Sequence, residues 1–400
     1  MWRPRQRHRL KPKHEVGAIV VGGDYQGLGI VRSLGQRGIP VCVIDDEYSI
    51  ARFSRYTVHA VTVKDLRDES RTVAAILDIG SQLNLDGWVI YPTRDETVAA
   101  LSRARARLCN QFRVPTPPWE TVRATWDKRE TYQLAASLDI PTPQTWYPPH
   151  VDALDEIDAA PPFAIKPAIK EHFVYATRSK AWRANTRAEL RARFKQAAAI
   201  VPPGEVMVQE LIPGGGSQQF AYCAFYKDRT AHATMVVRRQ RQHPPEFGRA
   251  STFVQTVEQP LLEALSERFL NAIDYYGLVE VEYKLDARDG KFKLLDVNAR
   301  TWGYHTLGQR AGVDFAYLLY ADQVGEKSEH YRARAGIRWV RLVTDVPTGV
   351  AGMAGGELSL RSYLRSLASF DVEAVFSARD PLPGLAELGL IPYLAFKRGF

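Results

Sequence analysis

Cysteine is scarce: Cys42, Cys109 and Cys223 are the only three in 400 residues. They stand far apart, without CxxC or Cys/His spacing, so neither a disulfide framework nor a zinc site is expected. Each reads as a small buried residue. Long apolar runs are missing too. None approaches the roughly 20 residues that cross a bilayer. The basic start, MWRPRQRHRLKPKHE, leads into no apolar signal core. A cytoplasmic location without a membrane partner is therefore expected. Internal repeats are absent, and no Ser-His or Cys-His signature marks a covalent nucleophile.

The charge is lopsided. Arg3, Arg5, Arg7, Arg9, Lys11 and Lys13 supply six of the net +8, leaving about +2 on everything else. Residues 1–15 read as a disordered basic tail. The body is near neutral, so nucleic acid is not an expected partner.

What is present is an ordinary globular composition, 45% hydrophobic and 24% charged, in a chain long enough for two or three domains. VGAIVV (Val16–Val21), a glycine-rich turn, a helix and IPVCVID (Ile39–Asp45) form a βαβ unit. The glycines of that turn, Gly22, Gly23, Gly27 and Gly29, do not make GxGxxG. Asp45 and Asp46 stand where a ribose-binding acid would be, but the spacing disfavours a dinucleotide. Pro115, Pro117 and Pro118 mark a first boundary. Residues 16–118, 119–205, 206–330 and 331–400 are expected as successive units.

Chemistry concentrates in Leu278–Arg300, LVEVEYKLDARDGKFKLLDVNAR. Two strands flank the turn Asp286–Gly290. Alternation places Glu280, Glu282 and Lys284 on one face, and Asp296, Asn298 and Arg300 on one face of the next strand. Buried strands rarely carry such rows unless they bind something. Carboxylates and an amide oxygen are ligands for Mg²⁺ that also holds phosphates, and an arginine suits the phosphate. Lys166, inside the apolar strand FAIKP, needs an anion or a path to water. QELIPGGGSQQF (Gln209–Phe220) is a strand end followed by three glycines. RRQRQHPPEFGR (Arg238–Arg249) reads as a dense basic loop, either anion-facing or solvated.

In order and spacing, the chain resembles the ATP-grasp superfamily over about Val16–Gly325. The nearest branch comprises carboxylate-amine ligases and predicted carboligases, related to biotin carboxylase and carbamoyl-phosphate synthetase. The motifs are DKRETYQLAASLDIPTP, FAIKP, VMVQELIPGG and VEYK–LLDVNAR. The resemblance implies an α/β (α+β) chain: a Rossmann-like preATP-grasp domain, a two-lobed ATP-grasp fold and a C-terminal extension. It implies ATP and Mg²⁺, with Mn²⁺ as a substitute. Lys128 and Lys166 match the phosphate-contacting lysines. Gln209, Glu210 and Ile212 match the adenine hinge, and Gln219 stands near a ribose-binding position. Glu282, Asp296 and Asn298 match the metal ligands, Glu282 being preferred to Glu280 on separation. Arg300 matches the arginine that steadies the transferred phosphoryl group, and Arg241 resembles a substrate- or phosphate-facing arginine.

The implied reaction joins a small carboxylate to an amine through an acyl phosphate, releasing ADP and phosphate; a homodimer would be ordinary on this scaffold. Alternatives are a carboxylase or kinase, a D-aspartate ligase-like cell-wall enzyme, and a non-catalytic nucleotide-binding protein. Two departures stand out. PAIKEHFVYATRSK, after Lys166, lacks the glycines that in many relatives fold over the phosphates, leaving Lys170, Arg178 or Lys180 as substitutes. Asp296 stands where a glutamate is more usual.

Overall fold

The structure, a computed structural model, describes residues 14–248, 250–327 and 329–398. The expected disordered tail falls almost wholly outside the described residues.

The N-terminal βαβ pattern becomes a parallel sheet. Its strands are β1 (Ala18–Val21), β2 (Val41–Asp45), β3 (Thr57–Thr62) and β4 (Val89–Pro92), in the order β3-β2-β1-β4. β1, AIVV, is buried throughout, as a strand covered on both faces must be. Asp24 starts the helix Tyr25–Gly35 by accepting from the Gln26 amide at 3.1 Å.

The second sheet is small and antiparallel. It contains β5 (Thr145–Trp146), β6 (Phe163–Pro167), β7 (Trp182–Ala184) and β8 (Val206–Glu210), ordered β5-β8-β6-β7. β8 thus pairs within this small sheet, although it follows residue 205.

The third sheet is the largest. β9 (Gln219–Lys227), β10 (Thr230–His243), β11 (Ala250–Val257), β12 (Gly277–Asp286) and β13 (Lys291–Asn298) form its antiparallel body. β14 (Tyr331–Arg332), β15 (Arg338–Val340) and β16 (Val372–Glu373) join it from the C-terminal segment. Alternation divides its core in two. Ala221, Cys223 and Phe225 pack in one cluster with Trp302 and Phe315, while Tyr222, Ala224 and Tyr226 pack in the other with Leu262 and Phe269.

The architecture is mixed α/β as expected, with two local differences. Residues 238–243 belong to β10 rather than to a loop, because alternating apolar residues carry the strand on from Ala233. Cys109 is exposed, unlike Cys42 and Cys223; it caps the short helix Arg105–Leu108 at the surface. Among the described residues, no helix is long and apolar enough to cross a membrane.

The first sheet is clamped to the rest. Buried Asp380 accepts from Arg32 at 3.0 Å, the Ser54 hydroxyl at 2.8 Å and the Arg55 amide at 2.9 Å. Gly29 lets the helix Tyr25–Gly35 approach His305: a Cβ there would lie 2.4 Å from the imidazole Nε2 and 2.6 Å from a Thr306 methyl. Gly29→Ala is therefore expected to cost about 1–3 kcal/mol in urea unfolding. Gly204→Ala, where a Cβ meets nothing within 4 Å, should stay within about 0.5 kcal/mol of the parent.

Candidate active site

The β12–β13 hairpin closes tightly, with Asp286 opposite Lys291 and Tyr283 opposite Leu294. The register then shifts, so that Leu295 is passed over and Glu282 faces Asp296. Glu280 in turn faces Asn298. A bulge of this kind re-aims side chains. Here it gathers three carboxyl groups and an amide on one face. Glu280, Asp296 and Asn298 are buried.

Two of the floor's carboxylates, Asp296 and Glu282, meet cations brought from elsewhere. Lys128, at the start of the helix Lys128–Ser137, lies 2.6 Å from Asp296. Arg239 of β10 lies 3.4 Å from Glu282 and also reaches Gln219 and Gln242. Lys170 lies 2.7 Å from Asp95, 3.1 Å from the Asn298 carbonyl oxygen and 3.8 Å from Asp296. Arg300 grips Asp95 with two bonds, 2.8 and 3.1 Å long, and approaches the Asn298 oxygen at 3.3 Å. Asp95, from the first domain, thus holds two of the floor's cations.

Protonation follows from these contacts. Burial works against the charged Asp296, yet Lys128 and Lys170 hold its carboxyl below the usual range. Burial likewise opposes Asp95 and Glu282, and cations outweigh it: Arg300 and Lys170 for Asp95, Arg239 and Lys180 for Glu282. Glu280 differs. Burial, then the neighbouring charge of Glu282, pushes it up to about 7. Its oxygens accept from the Tyr304 hydroxyl and the Asn298 amide.

The expected nucleotide-binding residues do not share one cavity. Ile212 and Gln219 line an open cleft of ≈ 820 Å³, with the Gly214–Gly216 turn and Lys284. Lys284 donates to the Ile212 carbonyl at 2.9 Å, fixing that turn. Lys128 and Asp296 line a small crevice with Asp95, Lys170 and Glu171. Lys166, half-buried, donates to the Tyr132 hydroxyl at 2.9 Å. The Gln209 amide donates to Thr145 at 2.8 Å. The Glu210 carboxylate is engaged by the Gln144 amide at 2.9 Å, Lys293 at 3.1 Å and Arg288. Arg241 also borders the open cleft, but its guanidinium makes a paired bond, 2.8 Å each, with buried Asp345.

An irregular register at Gln240 separates Arg241 from Arg239: Arg239 pairs opposite Val254 and Arg241 opposite the adjoining Phe253. Arg239 and Asp95 are the site residues that sequence reasoning missed. A basic strand end was the available signal for Arg239. The Asp95 contact spans 205 residues of sequence and leaves no local signal.

The donor set suits a divalent metal. Among the described residues, no three His, Cys, Asp or Glu side chains gather as a metal group. Glu282, Asp296 and Asn298 instead offer two carboxylates and an amide oxygen, hard ligands suited to Mg²⁺ with phosphates completing its shell. The glycine turn of the first domain is filled by protein. A Cβ on Gly22 would lie 2.0 Å from the Thr93 hydroxyl, and Asp45 accepts from the Gly23 amide at 2.6 Å.

No family model matches the chain. Over 325 residues it is 20% identical to the D-aspartate ligase of Enterococcus faecium, covering 77% of each. Among solved structures, the L-amino acid ligase of Bacillus licheniformis matches 79% of this chain and 76% of its own, with TM-score 0.60 and 15% identity. The biotin carboxylase domain of Hydrogenobacter thermophilus 2-oxoglutarate carboxylase, a dimer holding MgADP and bicarbonate, matches 81% and 74%, with TM-score 0.65 and 14% identity. N5-carboxyaminoimidazole synthetase of Staphylococcus aureus, complexed with ADP, matches 80% of each chain, with TM-score 0.60 and 14% identity. The chain has the ATP-grasp fold. In this ATP-grasp fold the bulged hairpin forms the floor, and the small sheet bears the FAIKP and VMVQE strands.

Glu280 gives the site a pH signature. Between 4.5, its ordinary value, and about 7 the folded chain keeps a proton that the unfolded chain has lost. Its contribution to stability therefore falls as pH rises through that window. Glu280→Gln, which stays neutral, is expected to melt above the parent at pH 8, with the gap narrowing toward pH 5 in calorimetric scans.

Proposed function

We propose that this chain is an ATP-dependent ligase that joins a small carboxylate to an amine. The observation that carries this reading is the buried acid-and-amide floor with its surrounding cations. A floor of that kind suits phosphoryl transfer from a polyphosphate. The likeness to a D-aspartate ligase favours amide formation over carboxylation.

The chemistry follows from the weakness of a carboxylate as an electrophile, whose leaving group would be oxide. A substrate carboxylate oxygen bonds to the γ-phosphorus of ATP as the bond to the β-phosphate oxygen breaks. ADP leaves and an acyl phosphate remains. The amine nitrogen then bonds to the acyl carbon, phosphate departs with the bonding pair, and the nitrogen loses its extra proton. Glu282, Asp296 and Asn298 would hold Mg²⁺ or Mn²⁺, which supplies neutralising charge for the phosphate oxygens.

The chain's own part is positioning. Lys128 and Lys166 contact phosphate oxygens, and Lys128 exchanges its Asp296 partner for them. Arg300, held by Asp95, faces the transferred group and then the acyl phosphate. Ile212 and Gln219, on the open cleft, take the adenosine end, with Gln209 and Glu210 bracing the hinge from behind. Arg241 orders the wall of that cleft.

ADP and phosphate release from Mg-ATP, measured with pooled amino acids and small peptides, tests the reading. Turnover should require both a carboxylate and an amine, and Glu282→Ala or Asn298→Ala should reduce it by about 10²-fold or more. Turnover driven by bicarbonate without any amine would move the chain to the carboxylase alternative.

A further inference from the structure

The segment after Lys166 does not form an open loop. Lys170–Thr177 is a helix of 8 residues, and its first side chain points into the metal-phosphate floor. The Lys170 ammonium lies 2.7 Å from Asp95, 3.1 Å from the Asn298 carbonyl oxygen and 3.8 Å from Asp296. Three oxygens converge on one cation, and two of them belong to the residues assigned to the metal.

The same helix is fastened at its far end. The Tyr175 hydroxyl bonds Glu96, the neighbour of Asp95, and the Arg67 guanidinium lies 3.7 Å above the Tyr175 ring. At its base, the Ala168 carbonyl accepts from the Lys128 amide at 3.1 Å. The helix is therefore pinned between the floor and the first domain, beside a small crevice.

We propose that Lys170 is a built-in counter-ion of the floor, displaced by the divalent metal, so that its helix is a lid released by metal binding. This rests on the reading of Glu282, Asp296 and Asn298 as the metal-nucleotide floor. A doubly charged ion on Asp296 and Asn298 would face an ammonium at ion-pair distance. Like charges that close in a buried site repel strongly, because little water screens them. The metal and Lys170 cannot share these oxygens. Once freed, the ammonium stands four residues from Lys166 and can take a phosphate oxygen in place of Asn298. The missing glycines then have a reason: a helix carrying a lysine replaces a loop carrying backbone amides.

Direct metal binding tests this without turnover. Mn²⁺ is titrated into the full chain without nucleotide, and free Mn²⁺ is read by electron paramagnetic resonance. Lys170→Met, with Lys170→Gln as a second variant against misfolding, should bind Mn²⁺ at least about tenfold more tightly than the parent. Hydrogen exchange across residues 170–177 of the parent should rise when Mn²⁺ is added. Trp182, 4.7 Å from the Phe173 ring of the same helix, should change its fluorescence over the same titration. If Asp296→Asn abolishes Mn²⁺ binding but both Lys170 variants match the parent, the counter-ion proposal fails and the floor stands. If no form binds Mn²⁺, alone or with ADP, the floor reading itself fails and the proposal falls with it.

Discussion

Buried negative charge on the β12–β13 floor is the constraint on which the remaining arrangement depends. Carboxylates removed from water must be compensated, and losing one partner of a buried pair typically costs about 3–5 kcal/mol. No single stretch of chain supplies the compensation. Lys128 comes from a helix start, Lys170 from the helix after β6, Arg239 from β10, and Arg300 from just beyond β13. Folding the floor therefore forces the small sheet, the large sheet and the first domain to meet at one place.

Asp95 shows how far that coupling reaches. It belongs to the first domain, yet it holds Arg300 through two bonds and Lys170 through one. The first domain is thus part of this charged floor in geometry, although its own glycine turn is packed with Thr93 and Asp45. The C-terminal segment acts similarly at a distance. Asp345 fixes Arg241 and Asp380 fixes Arg32, so residues beyond β13 set both the cleft wall and the seat of the first sheet.

Much of the fold was legible because local rules agreed. A buried run such as AIVV, an Asp before a helix and period-two patterns in the large sheet each point to one structure. The polar face of the hairpin was legible for the same reason. Its register was not: regular pairing cannot anticipate that Leu295 is passed over, and only the bulge puts Glu282 opposite Asp296. Arg239 and Arg241 look equivalent in RRQRQ until the break at Gln240 sends one to Glu282 and the other to Asp345. The Asp95 contacts are set by tertiary packing across most of the chain, which no local pattern encodes.

The central claim is that this floor binds a metal-nucleotide complex. The most direct measurement is calorimetric titration of a non-hydrolysable ATP analogue into the protein, in excess Mg²⁺ and again in EDTA, for the parent and for a Glu282→Gln/Asp296→Asn variant. The account predicts tight binding to the parent in Mg²⁺, much weaker binding in EDTA, and loss of the Mg²⁺ dependence in the variant. Equal binding with and without metal, or a variant that keeps the full Mg²⁺ effect, would contradict it.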